Sequence, residues 1–493
     1  MTANLAELVR TAAQAHPDKP ALRFHGEVTT WAQLDRRVDA AARGLRGLGL
    51  APGDRVALHV GNSPDFVVAY FGALRGGLVA LPVNTGYTPP ELTHVLGDSG
   101  AAAVITSPEG AAAVRAVEKQ PEHLVVVGEA AWTELLADDA PFEPVGGGED
   151  LAVLLYTSGT SGRAKGAMLT HRALLANLEQ TAAIDPPVVT SDDVVLLVLP
   201  LFHVYGLNGA LGMVAKHGAT GVLVERFDPV STLEEIRRSQ VTNVVGAPPM
   251  WVAWSLLPDV GDAFSSVRLA LSGAAPLPAE VLHRVLDVTG HHVFEGYGLT
   301  ETAPVLTSTL MSEVPKASSI GRPVPGVELR LLDLDGREVD EDDPGEVVVR
   351  GPNLFSGYWP DGADGPDEDG WFATGDVAVL DDDGDLHLVD RRRELVLVSG
   401  FNVYPREVEE VIATHPEVEE VAVLGVPHPY TGQSVKALVV RTQGSSLTAD
   451  AVIAHAAASL ARFKCPTVVE MVDELPHTAT GKVSKGRLRE LDA

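Results

Sequence analysis

At 493 residues with 45% hydrophobic side chains, the chain is long enough for two or three cores and is not a disordered scaffold. Its 37 basic and 67 acidic residues give a formal charge of -30, which repels a polyphosphate backbone and excludes nucleic acid as an expected partner. No apolar run approaches the ~18 residues that span a bilayer, Glu7 interrupts the N-terminal stretch where a signal peptide would be apolar, and the single Cys465 permits neither an intramolecular disulfide nor a thiolate metal cluster, so a reducing, cytoplasmic location is expected.

From residue 54 to about 300, short apolar runs alternate with helical patterns. RVALHV precedes a helix near 64–76 and LVALPV one near 89–97; AAAVIT, LVVVG, LAVLLY, VVLLVLP, GVLVE, NVVGAP, VRLALSG and HHVFEGYG follow. This repetition predicts parallel sheets covered by helices, an α/β class with more than one sheet. After about 320 the texture changes to short strands broken by Asp-Gly turns, in VELRLLDLDGREVD, GEVVVRG and DVAVLDDDGDLHLVD, which are antiparallel hairpin signals. A calcium loop does not fit there: placing Gly384 at the sixth position puts Val379 at the first, where a carboxylate is needed. Solvated turns are the simpler reading. The last hundred residues read as a small α+β domain, with helices in PREVEEVIATHP and ADAVIAHAAASLARF and strands in EEVAVLGVP and VKALVVRT. The expected domains are 1–390 and 391–493.

LLYTSGTSGRAKGAMLTH, residues 154–171, holds the chemistry. Six of the seven positions from Thr157 to Arg163 are Ser, Thr or Gly, and Lys165 follows in a chain with only nine lysines against 28 arginines. LAVLLY reads as a buried strand, and THRALLANLEQTAA as a helix with Leu174, Leu175 and Leu178 on one face and Thr170 as N-cap, so the loop is expected to join a strand to a helix. Glycines that tolerate positive φ let successive N–H groups form an anion nest, and the hydroxyls of Thr157, Ser158, Thr160 and Ser161 add donors. Phosphate oxygens are the natural guest. The Walker A spacing has no match, because Lys165 lies between Ala164 and Gly166. A flexible Ser/Gly linker is the alternative, and the strand and helix flanks argue against it.

YTSGTSGRAKG resembles the phosphate loop of the adenylate-forming superfamily, which contains acyl- and aryl-CoA synthetases, peptide-synthetase adenylation domains and beetle luciferases. Further blocks stand in that family's order: SGAAPLP at 272, EGYGLTE at 295, GWFATGD at 370, DRRRELVLVSGFNVYP at 390 and TATGKVSKGRL at 478. The resemblance covers nearly the whole chain. It implies a large N-terminal domain of two α/β sheets plus a small β-barrel-like part, a small mobile C-terminal domain, and ATP, magnesium and coenzyme A as the molecules handled.

The resemblance also implies roles. Thr157, Ser158, Gly159, Thr160, Ser161, Gly162 and Lys165 meet the phosphates, Thr300 contacts phosphate, and Glu301 holds magnesium, for which a hard carboxylate oxygen is suited. Tyr297 stacks on adenine between Glu295, Gly296 and Gly298, with Gly273 and Ala274 across the base. Asp376 and Arg391 hold the ribose; as the ends of one predicted hairpin, they are also expected at the same edge. Lys482 bridges the α-phosphate and the acid during adenylation. The small domain then turns about Arg393, where the family usually has Asp or Lys, and presents Ser399, Gly400 and Phe401 to the pantetheine.

For the acid, PLFHVYGLNGALG offers His203, Tyr205, Gly206, Leu207, Asn208 and Leu211 but no aspartate for an α-ammonium, which disfavours an amino acid. Malonate-type enzymes carry an arginine at the position of Gly296; without it, a second carboxylate would lie unpaired in an apolar pocket. A monocarboxylic acid is expected. His203 resembles the family's gate histidine, while Leu207, Leu211, Met250 and Trp251 are candidate acyl walls. The expected enzyme is therefore an AMP-forming fatty acyl-CoA synthetase. An aryl-CoA ligase or a fatty acyl-carrier-protein ligase is the alternative, and a non-catalytic adenylate-binding protein is the reading from another class. A homodimer is allowed.

Overall fold

The computed structural model describes residues 3–157, 164–312, 315–333, 335–340, 343–391, 394–398, 401–428, 432–460, 462–477 and 483–491. Two compact units emerge, one of residues 1–159, 163–328 and 350–372, the other of 160–162, 329–349 and 373–493.

The apolar runs of the first unit become two sheets among the described residues. One has six strands in the order His123–Val126, Ala103–Thr106, Arg55–His59, Val79–Pro82, Leu151–Thr157 and Lys165–Thr170. Its pairs are parallel except the last. The other has nine strands, in the order Arg322–Pro323, Val305–Ser308, Val293–Gly298, Leu269–Ser272, Asn243–Gly246, Val194–Leu197, Thr220–Leu223, Pro20–Phe24 and Glu27–Thr30. Its interior pairs are parallel, and antiparallel pairs close both edges. Parallel strands covered on both faces are apolar at nearly every position, which is why they stand out in sequence as unbroken runs rather than alternations.

The helix Pro64–Arg75 follows the same rule. Ser63 caps it by accepting from Phe66 N, Pro64 supplies its first turn, and Phe66 through Arg75 are all buried. Arg75 tolerates full burial only because its guanidinium meets Asp35 at 2.6 Å and Asp39 at 2.7 Å.

A third sheet, of four strands, orders Glu328–Leu332, Gly345–Arg350, Trp371–Leu380 and Leu386–Arg391 side by side; it is the part expected to be barrel-like. Its aspartate-rich turn is closed by its own bonds: Asp381 Oδ1 accepts from the N–H groups of Asp383 and Asp385. In the second unit, the strands Phe401–Val403, Val396–Val398, Gly432–Arg441, Val418–His428 and Val468–Val472 form a five-stranded sheet. Val396, Val408, Ile412, Val423, Val439 and Val452 build its core against the helices Pro405–Ala413 and Ala449–Ala457. Among the described residues no helix is long and apolar enough to cross a membrane.

The N-terminal segment is anchored by polar contacts. Asn4 donates to Leu74 O at 2.8 Å and Val145 O at 3.0 Å, and Leu5 N donates to His171 Nδ1 at 3.0 Å. An imidazole that accepts must be neutral at that nitrogen, and burial holds the His171 pKa down at about 4. Between pH 6.5 and 4 the unfolded chain therefore binds a proton that the folded chain refuses, so stability falls as pH falls through that window. Relative to His171→Asn, which keeps an acceptor and does not titrate, the parent should lose about 3 kcal/mol more over this interval. Urea unfolding of both proteins at stepped pH checks this; parallel pH profiles would contradict it.

Candidate active site

The phosphate-loop sequence leaves the strand Leu151–Thr157 and returns along Lys165–Thr170, pairing antiparallel with Thr157 opposite Lys165. The expected strand-to-helix loop is thus a hairpin loop, a correction to the sequence reading: KGAMLT continues the sheet before Thr170 caps the helix His171–Ala182 by accepting from Ala173 N. Ser158, Gly159, Thr160, Ser161 and Gly162 lie outside the described residues. The hairpin places Thr157 and Lys165 opposite each other as the last paired residues before the loop.

A third chain segment is stitched to this hairpin. Ser356 N donates to Met168 O, Met168 N to Gly357 O and Trp359 N to Gly166 O, at 2.9, 3.1 and 2.8 Å. The same segment reaches the Thr300–Thr302 helical turn: Phe355 N donates to Glu301 O at 2.9 Å, and the Tyr358 hydroxyl donates to Glu301 Oε1 at 2.5 Å. Lys165 Nζ lies 5.1 Å from the Tyr358 ring centre and 2.9 Å from Asp364. Tyr358 and Asp364 were not legible as site residues; GYW and ADG carry no periodic or spacing signal.

Buried amides hold the Thr300–Thr302 turn from behind. Asn177 donates to Gln180 at 3.2 Å, Gln180 to Asn353 at 3.1 Å, and Asn353 to Thr302 O at 2.8 Å. Asn208 is fully buried and donates to Leu174 O and Ala303 O, so it braces this turn rather than offering its amide to an acid. Glu301 itself stays partly exposed, with Oε2 lacking a hydrogen-bond partner among the described residues. One hard carboxylate with an available oxygen fits magnesium brought in on nucleotide phosphates, which supply the other ligands with water.

The adenine block occupies the strand Val293–Gly298. Glu295 and Tyr297 face the buried side, at 6% and 9% exposure, and Glu295 Oε2 accepts from Leu277 N at 2.9 Å, bracing the loop that follows Gly273. In that loop Ala274 sits at φ 71°, a left-handed conformation rare for a residue with a Cβ.

Between these blocks, residues Tyr205–Gly212 form a π-helix, a form found mostly at functional sites. His203 Nδ1 accepts from Tyr205 N at 3.3 Å, so the neutral ring carries its proton on Nε2. The Tyr205 ring lies over Gly273 and Gly209: a Cβ built at either would come within 2.8 or 2.9 Å of it. Burial pushes the Tyr205 phenol up, keeping it protonated. Gly206 packs against the Pro200 carbonyl, and Leu207 and Leu211 are fully buried.

The Trp251 indole covers Gly246, the partner of Ser272, and Tyr205 covers the next residue, Gly273. Trp251 is buried with Trp254 and Phe264, on the helix Pro248–Ser255 that also carries the buried Met250. An apolar residue in PPMWVAW fits core or pocket equally well in sequence.

In the second unit, Asp376 pairs in register with Arg391 across the hairpin, so both stand at one end of the two strands, as the predicted hairpin required. Asp376 is buried at 6% exposure. Phe401 opens the strand Phe401–Val403, opposite Val398. Lys482, Arg393, Ser399 and Gly400 lie outside the described residues.

Residues 9–359 match the AMP-binding enzyme family and residues 407–482 the AMP-binding enzyme C-terminal domain. The chain belongs to the adenylate-forming superfamily, in its acyl-CoA ligase branch. It is an enzyme, a CoA ligase for which ATP and coenzyme A are substrates. It is 37% identical to a long-chain-fatty-acid--CoA ligase of Yersinia pestis over 99% of this chain and 94% of that protein. It is 40% identical to a feruloyl-CoA synthase of Amycolatopsis sp over 97% and 96%. The crystal structure of ATP-bound MatB from Rhodopseudomonas palustris superposes with a TM-score of 0.91 at 35% identity, covering 100% and 99% of the two chains.

Two glycines of the ligase's adenine strand differ sharply in what they tolerate. A Cβ at Gly298 would lie 1.7 Å from the Pro304 carbonyl oxygen, which also receives the Leu299 N–H and the Thr302 hydroxyl; a Cβ at Gly296 would meet only Thr307 O, at 3.5 Å. Gly298→Ala should cost about 1–3 kcal/mol and weaken ATP binding with it, whereas Gly296→Ala should stay within ~0.5 kcal/mol. Thermal unfolding and nucleotide titration of the two variants check the contrast; equal effects would contradict it.

Proposed function

We propose that this ligase activates a monocarboxylic acid, first a medium- to long-chain fatty acid, in a magnesium-dependent reaction in the cytoplasm. The observation that carries the mechanism is the convergence of Lys165, Glu301 and Tyr358 on the open end of the phosphate hairpin. A carboxylate oxygen of the acid attacks the α-phosphate and pyrophosphate leaves, giving acyl-AMP; the thiol of coenzyme A then attacks the acyl carbon, releasing AMP and a proton. Donors at the phosphates stabilise the charge that develops in the first step. Thr157, Thr300, Lys165 and the loop 158–162 are read as those donors, and Glu301 as the carboxylate for magnesium. Tyr297, Gly273 and Ala274 are read as the adenine contacts, and Asp376 with Arg391 as the ribose pair.

The named pocket residues Tyr205, Gly206, Leu207, Leu211 and Gly296 carry no charge at neutral pH, which supports an acid with one carboxylate. The similarity to a long-chain-fatty-acid--CoA ligase supports an aliphatic tail. The aryl reading has its own support in the flat Tyr205 ring laid over Gly273 and in the similarity to a feruloyl-CoA synthase. ATP–pyrophosphate exchange should require magnesium and an acid but not coenzyme A, and kcat/KM should rise with aliphatic length, since each buried methylene adds ~0.8 kcal/mol. A panel running from octanoate to palmitate beside benzoate and ferulate decides: rates that peak on the aryl acids move the substrate to the second reading, and exchange that needs coenzyme A removes the two-step scheme.

We further infer that residues 391–493 act as a mobile domain with two working faces. Its own buried clusters, drawn from residues 396–488, support a separately packed body. Lys482 is assigned to adenylation, where an ammonium meets charge that exists only in that transition state. Gly400 is assigned to thioester formation, where a side chain would obstruct the pantetheine. Lys482→Ala should lower adenylate formation by about 10²-fold or more yet convert synthetic acyl-adenylate with coenzyme A nearly normally, and Gly400→Leu should do the reverse. Equal slowing of both half-reactions by both substitutions would count against two working orientations.

A further inference from the structure

Tyr358 is held by backbone geometry rather than by chance packing. Gly357 adopts φ 90°, and a Cβ there would lie 2.0 Å from the Gly362 carbonyl oxygen, so only glycine permits the turn. That turn is closed by Tyr358 N to Ala363 O and Gly362 N to Tyr358 O, both 2.8 Å, and it delivers Asp364 to Lys165. Two contacts of its side chain differ in kind: its hydroxyl donates to Glu301 Oε1, and its ring lies under the Lys165 ammonium. A donor on one carboxylate oxygen fixes the rotamer and leaves the other oxygen to a cation, the usual arrangement around a ligating carboxylate. A cation over an aromatic face is held by the ring quadrupole.

We propose that Tyr358 is the positioning residue that couples the two halves of the phosphate site, aiming Glu301 Oε2 at magnesium through its hydroxyl and holding Lys165 toward the phosphates through its ring. This rests on the reading of Glu301 as the magnesium carboxylate. The two contacts separate by substitution: Tyr358→Phe keeps the ring and removes the hydroxyl, whereas Tyr358→Leu removes both.

The test is calorimetric binding of α,β-methylene-ATP to the full chain, once with magnesium and once with EDTA, so that turnover is not the readout. Tyr358→Phe should lose about 10-fold or more of the affinity gained from magnesium while binding in EDTA stays within about twofold of the parent. Tyr358→Leu should in addition bind more weakly in EDTA. Glu301→Gln should abolish the magnesium gain, and adding Tyr358→Phe to it should change nothing further in the magnesium arm. Tyr358→Phe binding like the parent in both arms, losing equally in both, or subtracting the same affinity again in the Glu301→Gln background would overturn the coupling. A parent protein that itself gains nothing from magnesium would instead overturn the reading of Glu301 beneath it.

Discussion

The region around Glu301 is organised by hydrogen bonds that hold one partly exposed carboxylate on a turn with almost no regular structure of its own. Thr300–Thr302 is a single 3-10 turn, tied locally through the Thr302 hydroxyl, which accepts from Leu299 N and donates to Pro304 O. Further constraint comes from outside it: Asn353 reaches Thr302 O, Asn208 reaches Ala303 O, and Phe355 N reaches Glu301 O. Each donor is buried or backbone, so each bond forms where water cannot replace it. An amide whose partner is lost there is left unsatisfied at a cost of about 1–3 kcal/mol, which makes the turn's position a property of the packed core rather than of its own sequence.

The surrounding glycines follow from the same crowding. Gly298 leaves room for the Pro304 carbonyl that closes the turn, Gly273 and Gly209 leave room for the Tyr205 ring, and Gly357 allows the reversal that returns the chain to Lys165. In each case a backbone or a ring occupies the space that a side chain would take. Gly296 is different, since the space beside it is open. The fold itself therefore does not require glycine at this position.

Much of this was legible in the sequence, and for physical reasons. The buried parallel strands announce themselves as apolar runs, and the hairpin around DDDGD implies that Asp376 and Arg391 share one end, where the structure pairs them. The strand Lys165–Thr170 was missed because KGAMLT begins with an exposed lysine and a glycine, poor strand formers that are placed by pairing with Leu151–Thr157 and the 356–359 segment. Tyr358, Asn177, Gln180 and Asn353 act across long sequence separations, 177 to 305 and 180 to 353 among them, and no local pattern encodes such contacts. Trp251 is hard to read for the opposite reason: the same buried indole serves a core or a pocket, and its residue type is compatible with both.

Within the second unit, a charged triad shows which residues travel together. Lys485 Nζ lies 3.0 Å from Glu394 and 2.7 Å from Glu409, and Glu409 also accepts from Val423 N at 2.7 Å. The three side chains are only 13–20% exposed. Separating such charges would leave an unpaired carboxylate or ammonium in a poorly solvated place, which costs several kcal/mol. Residue 394 is therefore bound to the body formed by Glu409, Val423 and Lys485. Glu394 thus belongs to the same packed body as the helix that carries Glu409 and the strand that carries Val423.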